Sequence, residues 1–185
     1  MQTYYSDLPS IEQQTKQLES LSCRHCQQEN CLMSHGYIYK KRHCSEPVAV
    51  GKRVFCSNRD HHTGCGRTMQ LYLDSTIRHW HYAGDVVVAF LLALVAGLSV
   101  QKAYCSCTAT QDSRNAYRWL RRFFAQLSLY RSLSLSAPLQ SADSPLTAPS
   151  SLRRSLLTST MHALLPQFGQ PLCRHFQTQC QRPFL

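Results

Sequence analysis

An α+β fold is expected from this sequence, with short strands first and helices after. Three observations predict it. Cysteines bracket short, partly alternating segments between residues 23 and 82; helical periodicity takes over after His81; and residues 132–151 form a Ser, Leu, Ala and Pro stretch before a last helical pattern. The boundaries that follow are an N-terminal arm (1–22), a β module (23–82), a helical domain (83–131), a Ser/Pro-rich linker (132–150) and a C-terminal helical segment (151–185).

The elements are justified in order. Residues 11–21 read as a short amphipathic helix that Ser10 can cap, with Gln13 in the capping-box position. Three strands follow, at 36–41, 48–55 and 67–73. The second carries Gly51 as a bulge, and the third alternates polar and apolar residues as a half-buried strand should. Helices are expected near 84–96, 99–107 and 112–127. Gly97 ends the first and Ser99 caps the second; Asp112 or Thr110 caps the third. The second should bury Val100, Ala103, Tyr104 and Cys107. Beyond the linker, 151–165 forms an amphipathic helix with Leu152, Leu156, Leu157, Met161, Leu164 and Leu165 on one broad face. A last short helix is expected at 172–181.

Charge narrows the partners. The chain has 20 Lys and Arg against 10 Asp and Glu, a net charge of +10. Only residues 1–22 are net negative; the excess lies mainly in the two middle regions, and such a balance suits a polyanion. The apolar run Val86–Ala96 is too short for the roughly 20 residues of a spanning helix, so a buried core helix and no membrane partner are expected. The start MQTYYSDLPS has neither the basic end nor the apolar run of a signal peptide, so a cytoplasmic, nucleoid-associated location is expected. Thiols that stay reduced and are closely spaced then read as metal ligands.

Cys23-Arg-His-Cys26 is a CxxC knuckle, whose two thiolates can fill two corners of a tetrahedron. Cys56, directly after the strand Arg53-Val54-Phe55, and Cys65, in Cys-Gly-Arg-Thr, are the expected second pair. Gly66 supplies the positive φ that a knuckle turn needs. Knuckle, two strands, knuckle, strand is the layout of a zinc ribbon, and one Zn2+ on Cys23, Cys26, Cys56 and Cys65 is the expected cofactor. The second pair has eight intervening residues rather than two, which leaves His61 or His62 open as a replacement ligand. Cys31 and Cys44 are also in reach. Free cysteines in a small β domain are the plain alternative, weakened because so small a module rarely folds on its own core. Four thiolates leave no open position, so catalytic zinc is not expected. His35, His43, His79 and His81 read as surface or packing residues, and Cys105 and Cys107 as small buried side chains.

The 112–127 helix is the second informative stretch. At about 100° per residue, Arg114, Arg118, Arg121 and Arg122 fall within about 100° of one another. Ala116, Tyr117, Leu120, Phe123, Phe124 and Leu127 fall on nearly the opposite side. One face packs on the preceding helices and the other suits a major groove. Asn115 and Arg118 are the candidate base contacts, with Arg114 on the same face; Arg121, Arg122 and the ribbon-loop residue Arg59 are the candidate phosphate contacts. A solvated basic face is the plain alternative.

Cys23-x2-Cys26, Gly36-Tyr37, Arg53-Val54-Phe55-Cys56-Ser57-Asn58-Arg59, Gly64-Cys65-Gly66-Arg67-Thr68 and the Tyr117-Arg118-Trp119-Leu120-Arg121-Arg122 helix together resemble small zinc-ribbon plus helix-turn-helix proteins of bacterial insertion sequences. Over residues 20–130 the chain looks like the N-terminal DNA-binding half of a transposase. The resemblance implies an α+β protein, a zinc-ribbon module followed by an all-α helix-turn-helix region and a helical C-terminal segment. It implies binding to double-stranded DNA as an accessory or regulatory factor of a mobile element. A catalytic transposase domain needs three carboxylates converging on metal ions. Asp143 is the only acid after Asp112, so no enzymatic activity is expected. A separately encoded transposase is the expected protein partner under the alternative reading of a zinc-stabilised docking module, and a homodimer is left open.

Overall fold

A computed structural model describes residues 2–41, 46–133 and 150–185. They form two compact units: Met1–Tyr82 with Phe176–Pro183, and Ala83–His175 with Phe184–Leu185.

The first unit is a four-stranded mixed sheet with one helix against it. Its elements are β1 (Tyr4–Tyr5), α1 (Leu8–Lys16), β2 (Leu32–Lys41), β3 (Pro47–Cys56) and β4 (Thr68–Leu73). The sheet order is β1-β4-β3-β2; β1 runs parallel to β4 and the other pairs are antiparallel. The three expected strands are present. β1 was not legible, because two tyrosines are too short a run for period-two alternation to show. α1 starts earlier than expected. Asp7, not Ser10, caps it: its Oδ1 accepts the Ser10 N–H at 2.7 Å, and Pro9 sits in the first turn, where it loses no helical hydrogen bond.

Gly51 has a clear physical reason. A Cβ there would stand 2.0 Å from the Leu71 carbonyl oxygen, so only glycine lets β3 meet β4. The expected bulge is adjacent. Ile38 pairs with Gly51 and Tyr39 with Ala49, which leaves Val50 as the extra residue. A second irregularity lies between Ser34 and Tyr37, where Gly36 has φ +87°.

The core of this unit contains Ile11, Leu18, Leu32, Val54 and Leu71 together with Cys23, Cys31 and Cys56. The segment Phe176–Pro183 closes the free edge of β1 with a side chain. The Gln181 Oε1 accepts the N–H groups of Thr3 (2.8 Å) and Tyr4 (3.0 Å), and its Nε2 donates to the Tyr4 carbonyl (3.1 Å). The buried Gln177 Nε2 donates to the carbonyls of Asp74 and Thr76. The amides supply the partners that an unpaired edge would lack.

The second unit is helical: α2 (Gly84–Val95), α3 (Val100–Thr108), α4 (Arg114–Ala125), α5 (Leu127–Leu133) and α6 (Ser150–Phe168). A final helix, α7 (Leu172–Cys180), contributes its first residues to this unit and the rest to the other. Gly97, with φ +96°, ends α2. The N–H of Gly97 bonds the Leu94 carbonyl and that of Leu98 the Ala93 carbonyl, and the Ser99 hydroxyl caps α3 by accepting the Lys102 N–H. The Asp112 carboxylate accepts the Arg114 N–H at the start of α4. Among the described residues no helix is long and apolar enough to cross a membrane. α2, which holds the apolar run, instead buries Val87, Val88, Phe90, Leu91 and Leu94.

An aromatic knot fixes the first three helices of this unit. Trp119 of α4 lies 5.4 Å from Phe90 of α2 and 5.2 Å from Tyr104 of α3, ring centre to ring centre. In α3, Ala103 and Tyr104 are fully buried, whereas Val100 and Cys107 are only half-buried. α6 packs on α2 and α5, and it buries Leu156, Leu157, Met161 and Leu164. Leu152 is exposed and Leu165 half-buried, so the buried stripe of α6 is narrower than expected. The sequence reading set 151–185 apart as one segment. In the fold that stretch divides, with α6 in the helical unit and Phe176–Pro183 in the sheet unit. Most of the expected linker lies outside the described residues.

Candidate metal centre and basic helix

Four thiols converge in the first unit. The Sγ atoms of Cys23, Cys26, Cys56 and Cys65 all lie within 4.8 Å of one another. Cys23 and Cys65 are 3.8 Å apart, and Cys26 and Cys56 3.7 Å. Sulfurs at about 2.3 Å from a zinc ion, in a tetrahedron, are about 3.8 Å apart. A disulfide requires about 2.05 Å, so neither pair is one. The donor set therefore fits a metal ion of the zinc type.

The backbone explains how a pair separated by eight residues can behave as a knuckle. In the first knuckle the Cys23 carbonyl accepts the Gln27 N–H at 2.9 Å, and the Cys23 N–H donates to the Gln28 carbonyl at 2.9 Å. In the second, the Cys56 carbonyl accepts the Gly66 N–H at 2.9 Å, and the Cys56 N–H donates to the Arg67 carbonyl at 2.9 Å. The residue after the last cysteine of each knuckle is left-handed, Gln27 at φ 61° and Gly66 at φ 70°. The two turns coincide once residues 58–63 are set aside. Those six residues leave and return through one closure, the Gly64 N–H on the Ser57 carbonyl at 2.8 Å. In space the second knuckle is thus Cys56-Ser57-Gly64-Cys65, a CxxC turn carrying an excursion.

Gly64 makes the closure possible. A Cβ there would fall 2.2 Å from the Ser57 carbonyl oxygen and 2.6 Å from the Cys56 Sγ. No side chain fits.

The electrostatics suit thiolates. The His25 N–H points at the Cys23 Sγ (3.4 Å) and the Cys65 N–H at the Cys56 Sγ (3.2 Å). Burial opposes ionisation of Cys23, but N–H donors from His25 and Cys26 and the neighbouring thiols outweigh it, bringing the thiol down to about 7. Cys56 is pushed up to about 12, first by burial and then by the thiols around it, against the pull of the Cys65 N–H. Charge on one sulfur raises the cost of charge on its neighbours. A divalent cation reverses that, and a coordinating thiol is deprotonated outright.

The other candidate ligands stand apart from this cluster. Cys31 is buried in the core, its Sγ 4.0 Å from the Thr63 hydroxyl. His61 is exposed and His62 half-buried, both on the excursion, and neither belongs to the four-ligand group. Arg59 is exposed on the same excursion. His35, His79 and His81 are exposed; His43 and Cys44 lie outside the described residues.

In α4 the charged and apolar sides separate as expected, with two changes. Arg114, Arg118, Arg121 and Arg122 are exposed, and Ala116, Phe123 and Phe124 are buried, as is Leu127 at the start of α5. Trp119, absent from the expected apolar face, is 3% exposed and central to the knot, whereas Tyr117, expected inside, is 60% exposed. The packed face is rotated toward Trp119 because Phe90 and Tyr104 meet it there. Asn115 is half-buried, its Nδ2 3.5 Å from the Tyr104 hydroxyl, so it lies at the edge of the exposed face. Arg114 pairs with Asp112 at 2.7 Å, with 88% of its own side chain exposed. The Asp112 carboxyl is held down at about 2 by that guanidinium and by the Arg114 N–H.

No family model, curated protein or solved structure matches the chain.

Proposed function

We propose that this chain is a double-stranded-DNA-binding protein with a structural zinc centre and no bond-breaking chemistry of its own. The observation that carries the reading is the exposed arginine face of α4, backed by the Phe90–Tyr104–Trp119 knot that fixes the helix behind it. A rigid helix with a cationic outer face after a short helix and a turn is the arrangement by which a helix enters a major groove. In this reading Arg118 contacts bases. Arg121, Arg122 and, on the zinc module, Arg59 contact phosphates. Asn115 serves as a base contact only by giving up its Tyr104 partner. Arg114 is partly neutralised by Asp112, which ranks it below Arg118.

The four thiols close the metal's coordination shell, so the ion supplies folding energy and shape rather than a Lewis-acid site. The sequence resemblance extends the proposal to an accessory or regulatory factor of a mobile element.

The test is a fluorescence-anisotropy titration of duplex DNA at several salt concentrations, with Arg118→Ala and Arg121→Ala beside the parent. Losing a base contact should cost about 1–3 kcal/mol at one sequence position. Losing a phosphate contact should weaken all sequences alike and flatten the salt slope by about one unit. Equal binding by parent and both variants at every salt concentration would exclude α4 as the reader.

A further inference from the structure

α4 has a second partly exposed side, which shares only Arg121 with the arginine face. Tyr117, Leu120, Arg121 and Phe124 stand at positions i, i+3, i+4 and i+7, and they form one wall of a groove of about 460 Å³. The opposite wall comes from α6, where Ser150, Arg153, Arg154 and Leu157 repeat the same spacing. Leu94 of α2 and Val100 of α3 also line it. Each wall runs for about 10 Å, the length of two helical turns. Around the axis of α4 this wall centres about 110° away from Arg114, Arg118 and Arg122. It accounts for the exposure of Tyr117 on a helix whose other aromatic residues are buried.

The chemistry of the lining states what fits. The floor is apolar, from the edges of the buried Leu94, Phe124 and Leu157, and the half-buried Val100 and Leu120 with the exposed Tyr117 give it its accessible apolar surface. The rims carry three guanidiniums, Arg121 on one side and Arg153 and Arg154 on the other, and among the described residues no Asp or Glu lines the groove. The Arg154 Nη2 is tied to the Leu98 carbonyl at 3.3 Å, which steadies that rim. An apolar floor between cationic edges matches a helix with an apolar stripe flanked by carboxylates. We infer that the α4–α6 groove is a docking site for an acidic amphipathic helix of a partner protein. This chain offers no such helix among its described residues. Its helix α1, which carries Glu12, already buries Ile11 in the sheet unit.

The inference does not require DNA binding, and Arg121, the proposed phosphate contact, stands on the edge shared by the groove and the arginine face. The experiment uses the full, zinc-loaded chain and a fluorescein-labelled helical peptide of about 18 residues. The peptide consists of Glu, Ala and Leu, with leucines at i, i+3, i+4 and i+7; its control has Lys in place of every Glu. The acidic peptide should give saturable anisotropy, and the lysine control should bind at least about tenfold more weakly. Arg153→Glu and Tyr117→Ser, both at exposed positions, should each weaken the acidic peptide about tenfold with an unchanged thermal midpoint. Arg118→Ala should leave it unchanged. The inference is overturned if no saturable binding occurs, if both peptides bind alike, or if neither groove variant matters. It is also overturned if duplex DNA displaces the peptide and Arg153→Glu loses DNA as Arg118→Ala does, since the groove then belongs to the nucleic-acid surface. A parent dimer that Tyr117→Ser dissociates would overturn it too, in favour of a second copy.

Discussion

The two units secure their shapes by different means. The sheet unit places two of its four clustered thiols, those of Cys23 and Cys56, within its own hydrophobic core, so its packing and its candidate metal centre are one feature. The helical unit has no such group among its described residues and relies on aromatic burial around Trp119. The difference teaches where each unit is vulnerable. A metal ion on the four thiols would hold the first together through chelation, and its stability would then follow metal concentration. The second depends on side-chain shape alone.

Metal removal breaks the comparison most severely. Structural zinc in small domains contributes about 10–16 kcal/mol, more than a module of this size can lose and stay folded. Chelation, or the double substitution Cys23→Ser and Cys56→Ser, should abolish amide protection in β3 and β4 while α4 retains its own. Hydrogen exchange read by mass spectrometry separates the two, and elemental analysis should find close to one zinc per parent chain. Persistent protection of β3 in the metal-free chain would show that the thiols are not what holds the sheet.

The converse lesion is Trp119→Ala. It empties the centre of the aromatic knot and should cost the helical unit about 3–5 kcal/mol. Denaturant unfolding followed by hydrogen exchange should place the loss in α2–α4, with zinc content unchanged. A matching fall in zinc would mean that the two units do not stand separately.

Gly64→Ala sharpens the picture of the metal centre. Its methyl group cannot coexist with the Ser57 carbonyl and the Cys56 sulfur, so the closure must shift. Zinc affinity should fall about 10–100-fold, the range seen when the support of a metal ligand is lost. Competition against a chromogenic chelator measures it. An unchanged affinity would mean that the excursion is not anchored at Gly64.

The smallest effect belongs to Asp112→Asn. The folded-state carboxyl is depressed to about 2, so its contribution is present above the ordinary carboxylate value and is lost as pH falls through about 2. Because the group is exposed, stability near neutral pH should barely change. The substitution should free Arg114 and, under the proposed function, strengthen DNA binding slightly at low salt. A carbon-detected NMR titration of the Asp112 carboxyl should place its midpoint near 2.

Much of this organisation was legible in the chain. The α+β order, three strands, the four clustered thiols and the helix ends at Gly97 and Ser99 follow from spacing and local chemistry; α4 is entered from Ser113, one residue after the expected Asp112. What escaped depends on residues distant in sequence. β1 exists because β4 and Gln181 pair with its two edges, and no local pattern encodes that. Tyr117 left the expected apolar face and Trp119, not expected there, joined it, because an ideal helical wheel ignores which side its neighbours occupy. The eight-residue spacer looked like a departure from a knuckle because a sequence separation does not reveal that positions 57 and 64 are joined. One signal was available. Gly64 directly precedes Cys65, and a glycine beside a ligand can mark backbone in contact with sulfur.

That closure separates loop length from coordination geometry. Between Asn58 and Thr63 the backbone can lengthen without moving any of the four sulfurs, because Ser57 and Gly64 hold the ends. Doubling such a loop costs only about 0.6 kcal/mol in closure entropy. The site is a natural graft point: an epitope, a fluorophore-bearing peptide or a longer contact loop can be spliced there, with the four-cysteine cluster as the clasp that presents it.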